Sequence, residues 1–159
     1  MCPLSGTRNV HGKAHVQKAV DILKEFGVEY EAHIYSAHRT PKQAAAFAKA
    51  ARSRGFGVII AAAGMAAHLA GSLAANTTLP VIGIPCRGGA LDGIDALLST
   101  VQMPQGIPVV TVVLGGGANA ALLAVQMLAI NDETLAAKLD AKRAEAARGV
   151  LAKDKKLDI

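Results

Sequence analysis

The chain contains no tryptophan, and its remaining aromatics are two Tyr and three Phe. Proteins that hold single-stranded nucleic acid stack bases on aromatic side chains, so this sparse set argues against nucleic acid as a partner. Cysteine is equally scarce. Cys2 and Cys86 cannot build a disulfide framework, and neither belongs to a Cys-x-x-Cys pair or lies at zinc-ligand spacing from a histidine. A reducing, cytoplasmic setting fits that usage. No apolar run reaches the roughly 18 residues a membrane helix needs before Gly, Pro or a charge interrupts it, and no signal-peptide pattern opens the chain. The expectation is a soluble protein with no membrane partner. The body also lacks a strong excess of either charge. The formal net charge is +5, but residues 138–158 hold seven Lys/Arg against four Asp/Glu, leaving ten against eight elsewhere. A basic tail of this kind reads as a solvated helix face.

What the chain has in quantity is small apolar side chains. With 52% hydrophobic residues and almost no rings, the core must be built from Ala, Val, Leu and Ile, with backbones packed close together. The length reads as one domain over 1–159, with 1–13 as an atypical N-terminal segment and 132–159 as a polar C-terminal helix and tail. The hexapeptide Ser36-Ala37-His38-Arg39-Thr40-Pro41 organises the rest. Before it, Val28, Tyr30, Ala32 and Ile34 alternate along a strand; after it, Ala44, Ala45, Phe47, Ala48 and Ala51 recur at helical spacing. Thr40 suits an N-cap and Pro41 the first helical position. Ser36, His38 and Arg39 then stand beside a helix N-terminus, which favours anions. A hydroxyl, an imidazole and a guanidinium together suit a phosphorylated substrate that gains or loses a proton.

Elsewhere, Val16, Ala19, Val20, Leu23 and Phe26 predict a helix from Ala14 to Phe26 closed by Gly27. Residues 56–63 and 80–85 are continuous apolar runs, expected as strands buried on both faces, and 107–114 is expected as the last strand. Helices are expected over 65–76, 92–101, 118–130 and 132–152. Strands alternating with helices imply a parallel sheet covered on both sides, whose turns at 36–41, 63–68, 86–90 and 115–118 share the rim where ligands bind. The turn Ala62 to His68 carries almost no side chains, which suits either close approach of backbone amides to a small ligand or tight helix–strand packing. Gly115-Gly116-Gly117 lacks the Lys-Ser/Thr of a P-loop and reads as a tight turn. The helix over 118–130 is apolar nearly all round, and a second subunit is its expected cover.

Five motifs in order carry a resemblance: Ser36-Ala-His-Arg-Thr-Pro41, Ala63-Gly-Met-Ala-Ala-His-Leu-Ala-Gly71, Gly88-Gly-Ala-Leu-Asp-Gly93, Val101-Gln-Met-Pro-Gln-Gly-Ile-Pro108 and Asn119-Ala-Ala-Leu-Leu-Ala124. From about residue 17 onward the chain resembles the N5-carboxyaminoimidazole ribonucleotide mutases, the catalytic subunits of bacterial phosphoribosylaminoimidazole carboxylase. The resemblance implies a flavodoxin-like α/β three-layer sandwich, a homo-octamer, no metal or organic cofactor, and a step of purine biosynthesis. In that step a carboxylate moves from the exocyclic nitrogen of the ribonucleotide to a ring carbon through trapped carbon dioxide. It implies His38 as the catalytic general acid/base, Ser36 and Arg39 as phosphate-binding residues, and Ala63, Gly64 and His68 as the lining of a small dry pocket. A branch of the family that carboxylates aminoimidazole ribonucleotide directly resembles Ser-Ala-His-Lys and Ser-Asn-Ala-Leu-Ser-Gly at these places. Arg39 and the stretch Ala66 to Gly71 favour the mutase.

The departure is N-terminal. The family opens with an apolar strand ending in Gly-Ser-x-Ser-Asp, whereas Arg8 to Gly12 reads Arg-Asn-Val-His-Gly with no legible strand before it. The first strand is therefore expected to be missing or altered, an interior gap that would leave both neighbouring strands unpaired. Three accounts stand: a misassigned or frame-slipped start, which is preferred, a degraded enzyme, or a true variant. The lost hydroxyls and carboxylate predict weak nucleotide affinity. They also keep a non-catalytic family member open as the rival reading.

Overall fold

The computed structural model describes residues 2–6 and 10–157, with side chains from Ala14 onward. Its strands are β1 (Cys2–Gly6), β2 (Tyr30–Ile34), β3 (Ile59–Gly64), β4 (Val81–Cys86) and β5 (Val110–Thr111). Its helices are α1 (Val10–Phe26), α2 (Pro41–Ala51), α3 (Leu69–Ala74), α4 (Ile94–Val101), α5 (Gly117–Ala129) and α6 (Glu133–Asp154). All strand pairs are parallel, in the order β2-β1-β3-β4-β5. This is the flavodoxin-like order, in which the chain reverses direction across the sheet between β1 and β3.

The two continuous apolar runs become the buried strands because helices cover both faces. Ile60, Ala62, Ile82 and Ile84 point into a core shared with α1, α5 and the start of α6. Ile59, Ala61, Ala63 and Val81 point into the opposite core, shared with α2, α3 and α4. Small residues let the layers close. A Cβ on Gly83 would lie 2.4 Å from Thr100 Cγ2 and 3.3 Å from Ala70 Cβ, so α3 and α4 approach β4 over hydrogen alone. Gly27 closes α1 as expected, with φ of +73° and the Gly27 and Val28 amides bonded back to Lys24 and Leu23.

The structure modifies several expectations. The first strand is altered rather than missing: Cys2 pairs with Tyr30 and Gly6 with Ile34 on one side, and Leu4 with Ile60 and Gly6 with Ala62 on the other. Its sequence gives no strand signal because Pro3, Ser5 and Gly6 are poor formers; the backbone is held by partners on both edges. The last strand is reduced to Val110–Thr111, as Pro108 offers no amide and Val113 turns outward, 63% exposed. The helix expected over 65–76 begins only at Leu69, after a bend. The alternation over 28–34 is only half used. Val28 and Tyr30 reach the core, but Ala32 and Ile34 are exposed because β2 lies at the sheet edge. That edge is guarded by charge. Both Glu31 oxygens accept from Arg54 Nη2 at 2.7 Å and one meets His33 Nε2 at 3.1 Å; His33 and Arg54 hold the Glu31 carboxyl below the usual carboxylate range.

The cover of α5 is also internal. Ala120, Ala121, Ala124 and Val125 are buried against α1 and the sheet, and Leu122, Leu123, Met127 and Leu128 pack on the same core, which Leu135 and Leu139 of α6 help to close. Leu122, Leu123, Met127 and Leu128 nevertheless keep part of their surface open within one chain, and Ile130 is 78% exposed, which leaves room for the cover expected from a second subunit. Gly115–Gly117 is a tight turn, with φ of +70° at Gly115. A Cβ on Gly117 would lie 1.8 Å from the His15 carbonyl oxygen, a backbone atom that cannot swing away. Replacing Gly117 by Ala should therefore force α1 and α5 apart and cost about 3 kcal/mol, the upper end for overpacking. Urea unfolding measures it; an unchanged midpoint would show that the two helices do not meet here.

Candidate active site

In a parallel sheet the carboxyl ends of all strands share one edge, and the crevice lies where the strand order reverses. β2 and β3 flank β1, so the turns that follow them face each other across its end. The turn after β2 is tied by local hydrogen bonds. Thr40 N–H donates to the Ser36 carbonyl at 3.0 Å, Ser36 N–H to Thr40 Oγ1 at 2.8 Å and Arg39 N–H to Ser36 Oγ at 3.1 Å. Thr40 precedes Pro41 at the N-cap position as expected, but its hydroxyl turns back to Ser36 and makes no capping bond. The first amides of α2 are thus left without a side-chain cap. His38 and Arg39 project from the bend and are exposed; among the described residues no carboxylate pairs with Arg39.

The turn after β3 is built differently. Ala63 is buried, and a Cβ on Gly64 would stand 3.2 Å from the Cys86 carbonyl oxygen, which makes glycine the fitting residue there. Met65 takes φ of +56°, and the buried Ala67 amide donates to Ser99 Oγ at 2.9 Å. The chain then enters α3 through His68.

Across the crevice the two turns touch. His38 Nε2 lies 2.9 Å from His68 Nδ1, the rings being 5.0 Å apart and nearly perpendicular at 82°. One nitrogen of this pair carries the hydrogen and the other accepts it, leaving one nitrogen on each ring for a ligand. The structure thus brings together His38 and His68, with Ser36 and Arg39 on the first turn and Ala63 and Gly64 at the end of β3. The other two rim loops stand at the same edge: a Cβ on Gly89 would meet Met65 at 3.4 Å, and the Gly115 amide donates to the Pro85 carbonyl at 2.8 Å. Arg87 is engaged by Asp92, and the glycine turn at 115–117 is packed on α1. Arg8 and Asn9 lie outside the described residues, and Val10–Gly12 form the start of α1. Cys86 is buried at the end of β4 and burial pushes its thiol up to about 11, which leaves it an inert packing residue at neutral pH. Among the described residues no three His, Cys, Asp or Glu side chains cluster in a metal-binding arrangement.

A family model for AIR carboxylase matches residues 11–148. The chain belongs to the AIR carboxylase family. Several members that it resembles are N5-carboxyaminoimidazole ribonucleotide mutases. That of Saccharolobus solfataricus is 54% identical over 125 residues, 79% of either chain, and that of Bacillus subtilis is 54% identical over 138 residues, 86% of this chain and 85% of that one. The phosphoribosylaminoimidazole carboxylase of Saccharomyces cerevisiae is 49% identical over 140 residues, which are 88% of this chain and 24% of that protein. The crystal structure of Treponema denticola PurE superposes with a TM-score of 0.86 over 99% of each chain, at 25% identity. As an AIR carboxylase family fold, the sheet order and both cores follow the expected flavodoxin-like plan. The His38–His68 contact that bridges the two turns was not legible from spacing, since the two residues are thirty positions apart.

Proposed function

We propose that this chain interconverts N5-carboxyaminoimidazole ribonucleotide and 4-carboxy-5-aminoimidazole ribonucleotide, in purine biosynthesis. The observation that carries the reading is the His38–His68 pair at the reversal point of the sheet, in a family whose similar members are mutases. The reaction needs no net proton. The bond between the exocyclic nitrogen and the carboxylate carbon breaks, its electron pair stays on nitrogen, and nitrogen takes a proton. The ring carbon then attacks the released carbon dioxide and gives up its own proton. One imidazole that donates in the first half and accepts in the second closes the cycle, and His38 has the exposed ring for it. His68 holds that ring in place through the 2.9 Å contact. Arg39, lacking a described carboxylate partner, and the uncapped amides of α2 supply charge and donors for the phosphate, with Ser36 bracing the turn. Ala63 and Gly64 offer a small apolar wall that keeps carbon dioxide from solvent.

Direct carboxylation of aminoimidazole ribonucleotide is the second reading, supported by the yeast relative's name. Arg39 and Ala66–Gly71 favour the mutase. A cytoplasmic home suits the free, buried Cys86, and no helix among the described residues is long and apolar enough to cross a membrane.

Turnover of the N5-carboxylated ribonucleotide checks the assignment. His38→Asn should reduce it by about 10²–10⁴-fold while leaving the circular dichroism spectrum unchanged, since the ring is exposed and outside both cores. Activity near that of the parent in this variant would remove His38 from the reaction. The lost hydroxyls and carboxylate at Arg8–Gly12 enter the same assay: a chimera carrying Gly-Ser-x-Ser-Asp there should bind the nucleotide about a hundredfold more tightly.

We also infer self-association, as an octamer in keeping with the family resemblance, with α4 as a contact surface beside the expected α5. Leu91, Ile94, Leu98 and Val101 recur every three or four residues and are 49–61% exposed, an apolar stripe that a second copy of the same helix would cover. Light scattering at micromolar concentration should show an oligomer that Leu98→Asp dissociates. A monomeric parent chain would refute the association.

A further inference from the structure

Ser99 occupies the side of α4 that faces the turn after β3, one residue from the exposed Leu98. That turn needs an outside hold. Met65 sits at φ +56°, where a residue with a full side chain is strained, and Ala67 is buried at 1% exposure with an amide that must find a partner. Ser99 Oγ accepts that amide at 2.9 Å. The hydroxyl hydrogen has the Asp95 carbonyl at 2.7 Å and the Met65 carbonyl at 3.3 Å within reach. With its hydrogen directed to the Asp95 carbonyl of its own helix, the oxygen ties the Ala67 amide to α4, and the Met65 carbonyl lies alongside. The next residue, His68, donates its own amide to the Ala66 carbonyl at 2.8 Å, so its place follows from the gripped turn. From there its ring reaches His38 at 2.9 Å.

We propose that Ser99 is a positioning residue: through the Ala67 amide it sets the approach of His68 to His38. This rests on the reading of His38 as the group that moves the substrate's protons. It also means that α4 carries two roles on opposite sides, the apolar stripe outward and the hold on the site inward.

The experiment compares the parent chain with Ser99→Ala and Ser99→Thr, by steady-state kinetics on the N5-carboxylated ribonucleotide and by hydrogen exchange mass spectrometry of the peptide spanning Gly64 to Leu69. The expected result is a kcat for Ser99→Ala lower by about tenfold or more with KM within about threefold, restored by Ser99→Thr, because a misplaced group slows the chemical step more than it weakens binding. Exchange over this segment should quicken in Ser99→Ala and return to the parental rate in Ser99→Thr. A parental kcat in Ser99→Ala would overturn the proposal. So would a loss that the threonine hydroxyl does not restore while exchange stays parental, since that pattern belongs to packing. If the parent chain itself fails to turn over the ribonucleotide, the mutase reading falls, and the exchange measurement still decides whether Ser99 holds the turn.

Discussion

A strand paired on both edges decides where everything else can go, and here that strand is β1. Its five residues pair with β2 on one side and Leu4–Gly6 pair with β3 on the other, so β2 joins the sheet through it. With β1 between them, the turns leaving β2 and β3 rise on either side of one strand end, close enough for two imidazoles to meet at 2.9 Å. The site is therefore a consequence of sheet order. Were β2 to pair directly with β3, the same residues would have no crevice between them.

Scarcity of aromatic rings has a second structural effect. A core of Ala, Val, Leu and Ile lets helices lie close to strands, and at Gly83 and Gly117 only hydrogen fits between layers. The same economy reaches the rim, where Gly64 stands against the Cys86 carbonyl and Ala63 is buried. The few polar groups present are thus held by backbone that has little room to move. The larger group of rings lies at the exposed edge of β2, where His33, Tyr35, Phe47 and Phe56 pack with Arg54 and Glu31 to close the sheet margin.

Apolar surface is shared out differently between α4 and α5. α5 is more apolar than α4 along its circumference, yet α1, α6 and the sheet cover it within one chain. α4 is amphipathic, with Ala96 and Thr100 inward and Ile94, Leu98 and Val101 outward. Through Ser99 the inward side of this helix also holds the turn that carries His68. An exposed aliphatic face and the hold on this turn thus share one helix of eight residues.

The sequence by itself determined whatever depends on neighbours along the chain. The apolar runs ending in Ala63 and Pro85, the helical spacing after Pro41, the glycine after Phe26 and the strand-to-helix turn at Ser36-Ala-His-Arg-Thr-Pro41 are local patterns, and local sterics and periodicity suffice to read them. Only the tertiary structure decided the rest. Cys2–Gly6 is a strand because two other strands supply its partners; the 107–114 run pairs over two residues because it lies at the edge; and the Thr40 hydroxyl turns away from its helix because Ser36 is nearer. Likewise α5 packs on α1, α6 and the sheet while α4 keeps Ile94 and Leu98 exposed, and Ser99 reaches Ala67 from thirty-two positions away. Each of these rests on a hydrogen bond or a buried surface shared by segments distant in the chain, and no periodicity within either segment encodes which partner it will meet.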